Sequence, residues 1–600
     1  MHSGHSFHIP VMGLGFTIDT PLKVSQYGID SVISLGDDML MEKIRKYYCA
    51  IFEKPFLEIS EKCEDFRAKR ITTYLNLVHE IATQQFIDLK NTAIEESKEL
   101  KKYFRMLPNA CAIKVGLQKL FLDQADLRSI KNWLQKNLVM GSIDVNIMTK
   151  VDKDNYRNGT KLPIEFNDAH AALRGYANSK LESGIVLSAG LNQKLFGYME
   201  QFEDFYPNEE GILKKRIILK VSEYRSAYIQ GKYLAKRGLW VSEFRVESGL
   251  NCGGHAFATD GYLLGPVLEE FKNNREELAE SLYSIFKDAL ASKNKTIPLK
   301  PLPIKITAQG GVGTFEEHEF LMNHFYVDSV GWGTPFLLVP EATAVDEKTL
   351  EKLINAREED LYLSNISPFG IPFNNLRGNS KDIEKEALIQ KGRPGSSCPK
   401  RLLALNNEFT EKSICTASRE YQYYKLQELD TQNISSDEKK LKYDKIVEKS
   451  CICVGLGTSA LLSYDLDTKA EGEGVSICPG PNLAYFSKKM SLEEMVDHIY
   501  GRGNVIDRLD RPNFIIKELN LYMDYLQAKI AEAKVLRLSN SFKSFISFSI
   551  HLLEGIEFYE NLLDKNIDLF KNQRGQILSD LKQCREEVHS ILSDLEVSSS

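Results

Sequence analysis

The segment Ile304-Lys-Ile-Thr-Ala-Gln-Gly-Gly-Val-Gly-Thr-Phe-Glu-Glu317, followed by Val327-Asp-Ser-Val-Gly-Trp-Gly-Thr-Pro-Phe336, decides the fold. Each half is an apolar run that ends in a glycine loop, first Gly310, Gly311 and Gly313 with Thr314, then Gly331 and Gly333 with Thr334. Glycine lets several backbone N–H groups converge on one anion with no side chain in the way. A helix starting at Thr314, with Glu316 and Glu317 in its first turn, adds its positive N-terminal end. Two such loops in succession, each after a strand, read as a phosphate site at the last two strands of a β/α barrel.

Working outward, six more strand-like runs alternate with amphipathic segments, as a parallel sheet covered by helices requires. The eight runs are 8–15, 29–35, 143–149, 184–189, 216–222, 239–247, 302–309 and 327–331. Eight closes a barrel, so the expected fold is α/β, a TIM-type (β/α)8 barrel formed by residues 1–36 and 141–350. Residues 37–140 are rich in Glu, Lys and Leu at helical spacing, with Phe66, Ile71, Tyr74, Leu75, Val78 and Ile81 on one face. They read as a helical insertion that packs over the barrel or serves as a lid. Residues 351–510 are loop-rich and contain cysteines. From 511 to 600 the sequence is helical, with stripes through Ile515, Leu519 and Tyr522, through Leu552, Ile556 and Tyr559, and through Ile577, Leu581 and Val588.

Composition sets outer limits. The chain has 600 residues, 43% hydrophobic and 26% charged, with a net charge of −7, which argues against nucleic acid as the main partner. The N-terminus lacks a basic start followed by an apolar run, and no uninterrupted apolar stretch of about 18 residues occurs, so neither secretion nor a membrane span is expected. The expected setting is the cytoplasm. Five of ten cysteines, Cys398, Cys415, Cys451, Cys453 and Cys478, fall close together. None forms a Cys-x-x-Cys pair, and three readings stay open: buried thiols, an iron–sulfur cluster, or structural zinc.

The glycine loops resemble the FMN-phosphate site of the nitronate monooxygenase (2-nitropropane dioxygenase) family and of the related flavin-type enoyl-acyl-carrier-protein reductases. Ala308-Gln-Gly-Gly-Val-Gly-Thr314 and Gly333-Thr-Pro-Phe336 match their motifs, with Pro335 where relatives carry Arg. Glu247-Ser-Gly-Leu-Asn-Cys-Gly-Gly-His255 is similar to the family's Glu-Ala-Gly-Gly-His, with Asn251-Cys252 in place of Glu-Ala. The resemblance implies an FMN oxidoreductase in which His255 is the catalytic base or polar contact. Gly253, Gly254, Met12, Gly13, Gly15, Asn146 and Ser188 would lie against the flavin. Lys220 would face the ring or, on the strand's other face, solvent. The implied substrate is a small nitronate, an enoyl thioester or a related activated compound, with NAD(P)H or a redox protein as electron donor. Two other classes remain: a barrel enzyme that binds a phosphorylated ligand without redox chemistry, and a non-enzymatic scaffold whose helical C-terminus binds a partner.

Overall fold

The computed structural model describes residues 4–92, 97–124, 126–188, 190–508, 510–538 and 541–599. Eight parallel strands close into a barrel: β1 (Phe7–Ile9), β2 (Asp30–Ser34), β3 (Ile143–Met148), β4 (Gly184–Ser188), β5 (Arg216–Val221), β6 (Val241–Glu247), β7 (Lys305–Gln309) and β8 (Ser329–Gly331). Their order is β1-β8-β7-β6-β5-β4-β3-β2, and Phe7 pairs with Val330 while His8 pairs with Asp30 to seal the ring. Every strand expected from the sequence is present. Residue 189, read as the end of the fourth, lies outside the described residues.

The strands are shorter than their apolar runs, for local reasons. β1 stops at Ile9 because Pro10 has no N–H for the ladder and Gly13, at φ +56°, turns the chain. β7 starts only after Pro303 for the same reason.

Side chains alternate across a strand, so residues two apart share a face. Val32, Val186 and Ile218 form a small apolar layer with Val11 that fixes which face is inward. The next inward residues toward the carboxyl ends are Ser188 on β4 and Lys220 on β5. By the same parity β6 turns Glu243, Arg245 and Glu247 inward, where Arg245 pairs with Glu243 at 2.7 Å and Thr307 donates to Glu243 at 2.7 Å.

The insertion contains α1 (Asp38–Ile51) and α2 (Phe66–Asn91), followed by three shorter helices. α2 buries Ile71, Tyr74, Leu75, Val78 and Ile81 of the predicted stripe, while Phe66 at its first position is only half-buried. It lies along the barrel's side: the Tyr74 hydroxyl donates to the Ile18 carbonyl at 2.7 Å, and a Cβ on Gly175 would meet Ile71 at 2.8 Å.

Helix α3 (Phe315–His324) lies between β7 and β8 of the barrel. The chain from residue 361 onward, with the hairpin β9 (Leu361–Ser364) and β10 (Phe373–Leu376) and helix α4 (Ile452–Ser463), closes over the carboxyl end of the barrel. Three terminal helices follow, α5 (Phe514–Leu536), α6 (Phe542–Lys565) and α7 (Arg574–Ser599). One apolar core runs continuously through barrel, insertion and C-terminal helices. The stretch Ser436–Ser463 contains a window apolar enough by composition to cross a membrane, but 72% of that window is buried inside the protein.

Candidate active site at the barrel mouth

Two adjoining cavities occupy the carboxyl end of the barrel. The smaller, about 100 Å³, is walled by Met12, Gly310, Gly311, Gly331, Gly333 and Thr334. The larger, about 380 Å³, is walled by Asn146, Ser188 and His255 and by Leu402, Ile452 and Leu456 from the C-terminal region. Gly13, Lys220, Glu247, Gly253, Gly254 and Cys478 border both. The larger volume falls in the range of roughly 300–1,000 Å³ usual for small-ligand sites.

At the phosphate end the glycines are required by geometry. Gly311 has φ +73°, and a Cβ there would stand 1.7 Å from the Asn251 side-chain nitrogen; on Gly310, at φ +128°, it would meet the Ser248 Cβ at 2.6 Å. The loop therefore presents bare backbone to the cavity while packing tightly behind. Arg511 Nη2 donates to the Gly311 carbonyl at 2.9 Å, and the Asn482 amide donates to the same oxygen. Thr334 Oγ1 accepts the Gly480 N–H at 2.7 Å.

Gly313 and Thr314 depart from the expected role. Neither borders either of these two cavities. Glu317 accepts the Gly313 N–H at 2.8 Å and the Thr314 N–H at 3.3 Å, completing a capping box at the start of α3. These donors are thus spent on the helix's own carboxylate, which Arg511 holds at 2.7 Å. Gly15 is a second correction. Its N–H donates to the Leu456 carbonyl at 3.1 Å, and a Cβ would stand 2.8 Å from that oxygen, so glycine is needed there for the approach of α4.

The other expected residues meet at the mouth. Asn146 Nδ2 donates to the Val186 carbonyl at 3.2 Å, and Ser188 Oγ donates to the Ile147 carbonyl at 3.2 Å. Lys220 faces inward and pairs with Glu247 at 2.6 Å, while Gln309 Nε2 donates to Glu247 at 2.9 Å. Met12 donates its N–H to Thr17 Oγ1 at 3.2 Å, and its side chain lies 3.8 Å from the position of a Gly333 Cβ.

His255 borders the larger cavity between Phe369 and Phe373, with ring centroids 5.7 and 4.9 Å away. Its Nε2 is 2.6 Å from Ser367 Oγ. Burial, helped by the Lys220 ammonium, lowers its pKa to about 4, so the imidazole is neutral at neutral pH. Cys252 is held by contrast as an inert thiol, since burial raises its pKa well above the ordinary value.

The five cysteines do not gather into one group. Cys398, Cys451 and Cys453 bring their sulfurs within 4.8 Å of one another. Cys415 is buried nearby, and its pKa is raised to about 12 by burial. Cys478 belongs to the barrel mouth, where its carbonyl accepts the Gly254 N–H at 3.1 Å.

Sequence reading missed Glu247, Gln309, Asn482 and Arg511. Strand parity with Lys220 and Arg245 is a signal for the first two. Asn482 and Arg511 lie far along the chain and carry none.

The strand order and cavities define a (β/α)8 barrel with two adjoining cavities at the carboxyl ends of its strands. No family model matches the sequence, and a search of curated proteins finds no match. Among solved structures, the enoyl reductase domain of MlnA from the macrolactin biosynthesis cluster of Bacillus amyloliquefaciens is 18% identical, with a TM-score of 0.33, covering 66% of this chain and 85% of its own. FabK from Thermotoga maritima is 14% identical with a TM-score of 0.29, covering 63% and 81%. Nitroalkane oxidase from Streptomyces ansochromogenes is 10% identical with a TM-score of 0.33, covering 83% and 94%. The fold assignment rests on the closed strand order of the barrel itself.

Proposed function

We propose that the chain is an FMN-dependent oxidoreductase acting on a small activated substrate, a nitronate or an enoyl thioester in keeping with the motif resemblance. The observation that carries this reading is the paired cavity: a bare-backbone niche at Gly310, Gly311 and Gly333 opening into a larger chamber lined by Asn146, Ser188, Lys220 and His255. The residues fit the group. The niche suits a phosphate ester, and the chamber's inward amide, hydroxyl and ammonium suit the polar edge of a flavin ring. When bound, FMN supplies hydride transfer.

The chain's own residues supply placement and charge. Gly310 and Gly311 hold the phosphate through backbone. Lys220 sets a positive charge at the ring's edge, tempered by Glu247. His255, neutral at neutral pH, holds a proton at the substrate or accepts one. Leu402, Ile452 and Leu456 give the chamber an apolar roof. NAD(P)H or a redox protein is the proposed electron donor.

The test is direct. The purified protein should be yellow and should release FMN on denaturation. A colourless protein that FMN cannot reconstitute overturns the reading, and if it binds phosphate esters a non-redox barrel enzyme takes its place.

A further inference from the structure

Three thiols outside the cavity's polar machinery converge beside its roof. Cys398 opens the loop Cys-Pro-Lys-Arg401, Cys451 immediately precedes α4, and Cys453 lies in the first turn of that helix. Their Sγ atoms all lie within 4.8 Å of one another, Cys451 and Cys453 are buried, and none of the three is in a disulfide. The Arg401 N–H donates to Cys398 Sγ at 3.2 Å. Two of the sulfurs stand at the N-terminal end of a 12-residue helix, where the exposed peptide dipoles favour negative charge.

Three clustered thiols, two of them buried, gain little from one another as neutral groups, because S–H is a weak donor. As thiolates they would repel unless a cation lay between them. A tetrahedral zinc ion, with Zn–S near 2.3 Å, places its thiolates roughly 3.8 Å apart, which fits inside the observed span. A cubane iron–sulfur cluster sets its thiolates farther apart, because its own irons stand between them. Soft sulfur ligands select zinc over magnesium or calcium.

We infer that Cys398, Cys451 and Cys453 form a binding site for a single thiophilic divalent ion, zinc by its chemistry, with the fourth position left to water. The site joins two segments that are otherwise separate in the chain and that both line the larger cavity. Leu402 and Leu403 follow Cys398, Ile452 and Leu456 flank Cys453, and Cys453 itself borders the cavity. The ion would pin the roof of the chamber. This inference does not depend on the identity of the cofactor below.

Native mass spectrometry and elemental analysis of the full chain, purified without chelator and then supplied with zinc, should find one zinc ion per chain. Cobalt(II) exchanged into the site should give the intense visible bands of tetrahedral thiolate coordination. Cys398→Ser and Cys453→Ser should lose the metal and the bands, whereas Cys63→Ser, at an exposed thiol elsewhere, should keep both. Wild-type protein that binds no zinc overturns the inference whatever the variants do. So does bound iron with acid-labile sulfide, or a disulfide recovered between any two of the three cysteines.

Discussion

Replacing Gly311 by alanine tests the phosphate niche most sharply. Two costs follow from its position. The first is the left-handed backbone, φ +73°, which costs an L-residue about 1–2 kcal/mol. The second is the new Cβ, which would stand 1.7 Å from the Asn251 side-chain nitrogen. Either the loop or Asn251 must shift, at about 1–3 kcal/mol for overpacking. If Asn251 yields, it also loses its 3.2 Å hydrogen bond to the Phe514 carbonyl, about 1 kcal/mol more. The backbone strain is shared by free and bound protein, but a displaced loop spoils the niche only when ligand is present. FMN affinity should therefore fall by about 1–3 kcal/mol, roughly five- to 150-fold. Gly472→Ala is the control, because Gly472 has φ +78° and nothing within 4 Å of its Cβ position. It should lower stability by the strain alone and leave FMN content intact. The assay is the FMN dissociation constant by fluorescence titration, with thermal unfolding of both variants alongside. A Gly311→Ala protein that binds FMN as tightly as wild type refutes the placement of the phosphate. Equal thermal losses in the two variants refute the steric argument.

Other outcomes follow from buried charge. Arg511→Met leaves Glu317, 1% exposed, without its cation and should cost about 3–5 kcal/mol, read as a lower urea midpoint; an unchanged midpoint would contradict it. Lys220→Met should keep FMN bound but lower its reduction potential by about 20 mV, corresponding to roughly 1 kcal/mol at a part-exposed site, and an unaltered potential would remove Lys220 from the ring's edge. Burial raises the pKa of Glu518 to about 7 from 4.5, so the unfolded chain releases this proton first and this carboxyl contributes a decline in stability as pH rises between those values. Glu518→Gln should abolish that decline, worth about 3 kcal/mol, in unfolding followed against pH; a decline that persists assigns it elsewhere. In the opposite sense, burial lowers His318 from 6.5 to about 4, so the unfolded chain binds its proton first as pH falls, and this imidazole contributes a loss of stability from about pH 6.5 downward. His318→Gln should flatten that acid limb.

The barrel was legible because its signal is local. Each strand is a short apolar run next to an amphipathic helix, and glycine loops mark where the last two end. Strand ends were less legible, since Pro10 and Pro303 cut apolar runs that otherwise look continuous. The site was legible wherever a glycine or a polar residue ends a strand, as at Asn146, Ser188 and Gly310. It failed where the reason for a residue lies in a distant partner. Gly15 looks like a flavin contact from its neighbours, but it serves Leu456. Gly313 and Thr314 look like phosphate donors until Glu317, held by Arg511, is seen to accept their N–H groups. Spacing likewise could not separate Cys478, which shares the barrel mouth, from the three thiols that meet at α4.

The mouth of the barrel is completed by residues 452–482, which reach back to the first loop through the Leu456 carbonyl and the Gly15 N–H. On a ribosome, the eight strands are all made by residue 331, yet the chamber has no roof until more than a hundred further residues have emerged. Closure of the chamber thus waits for these later segments of the chain.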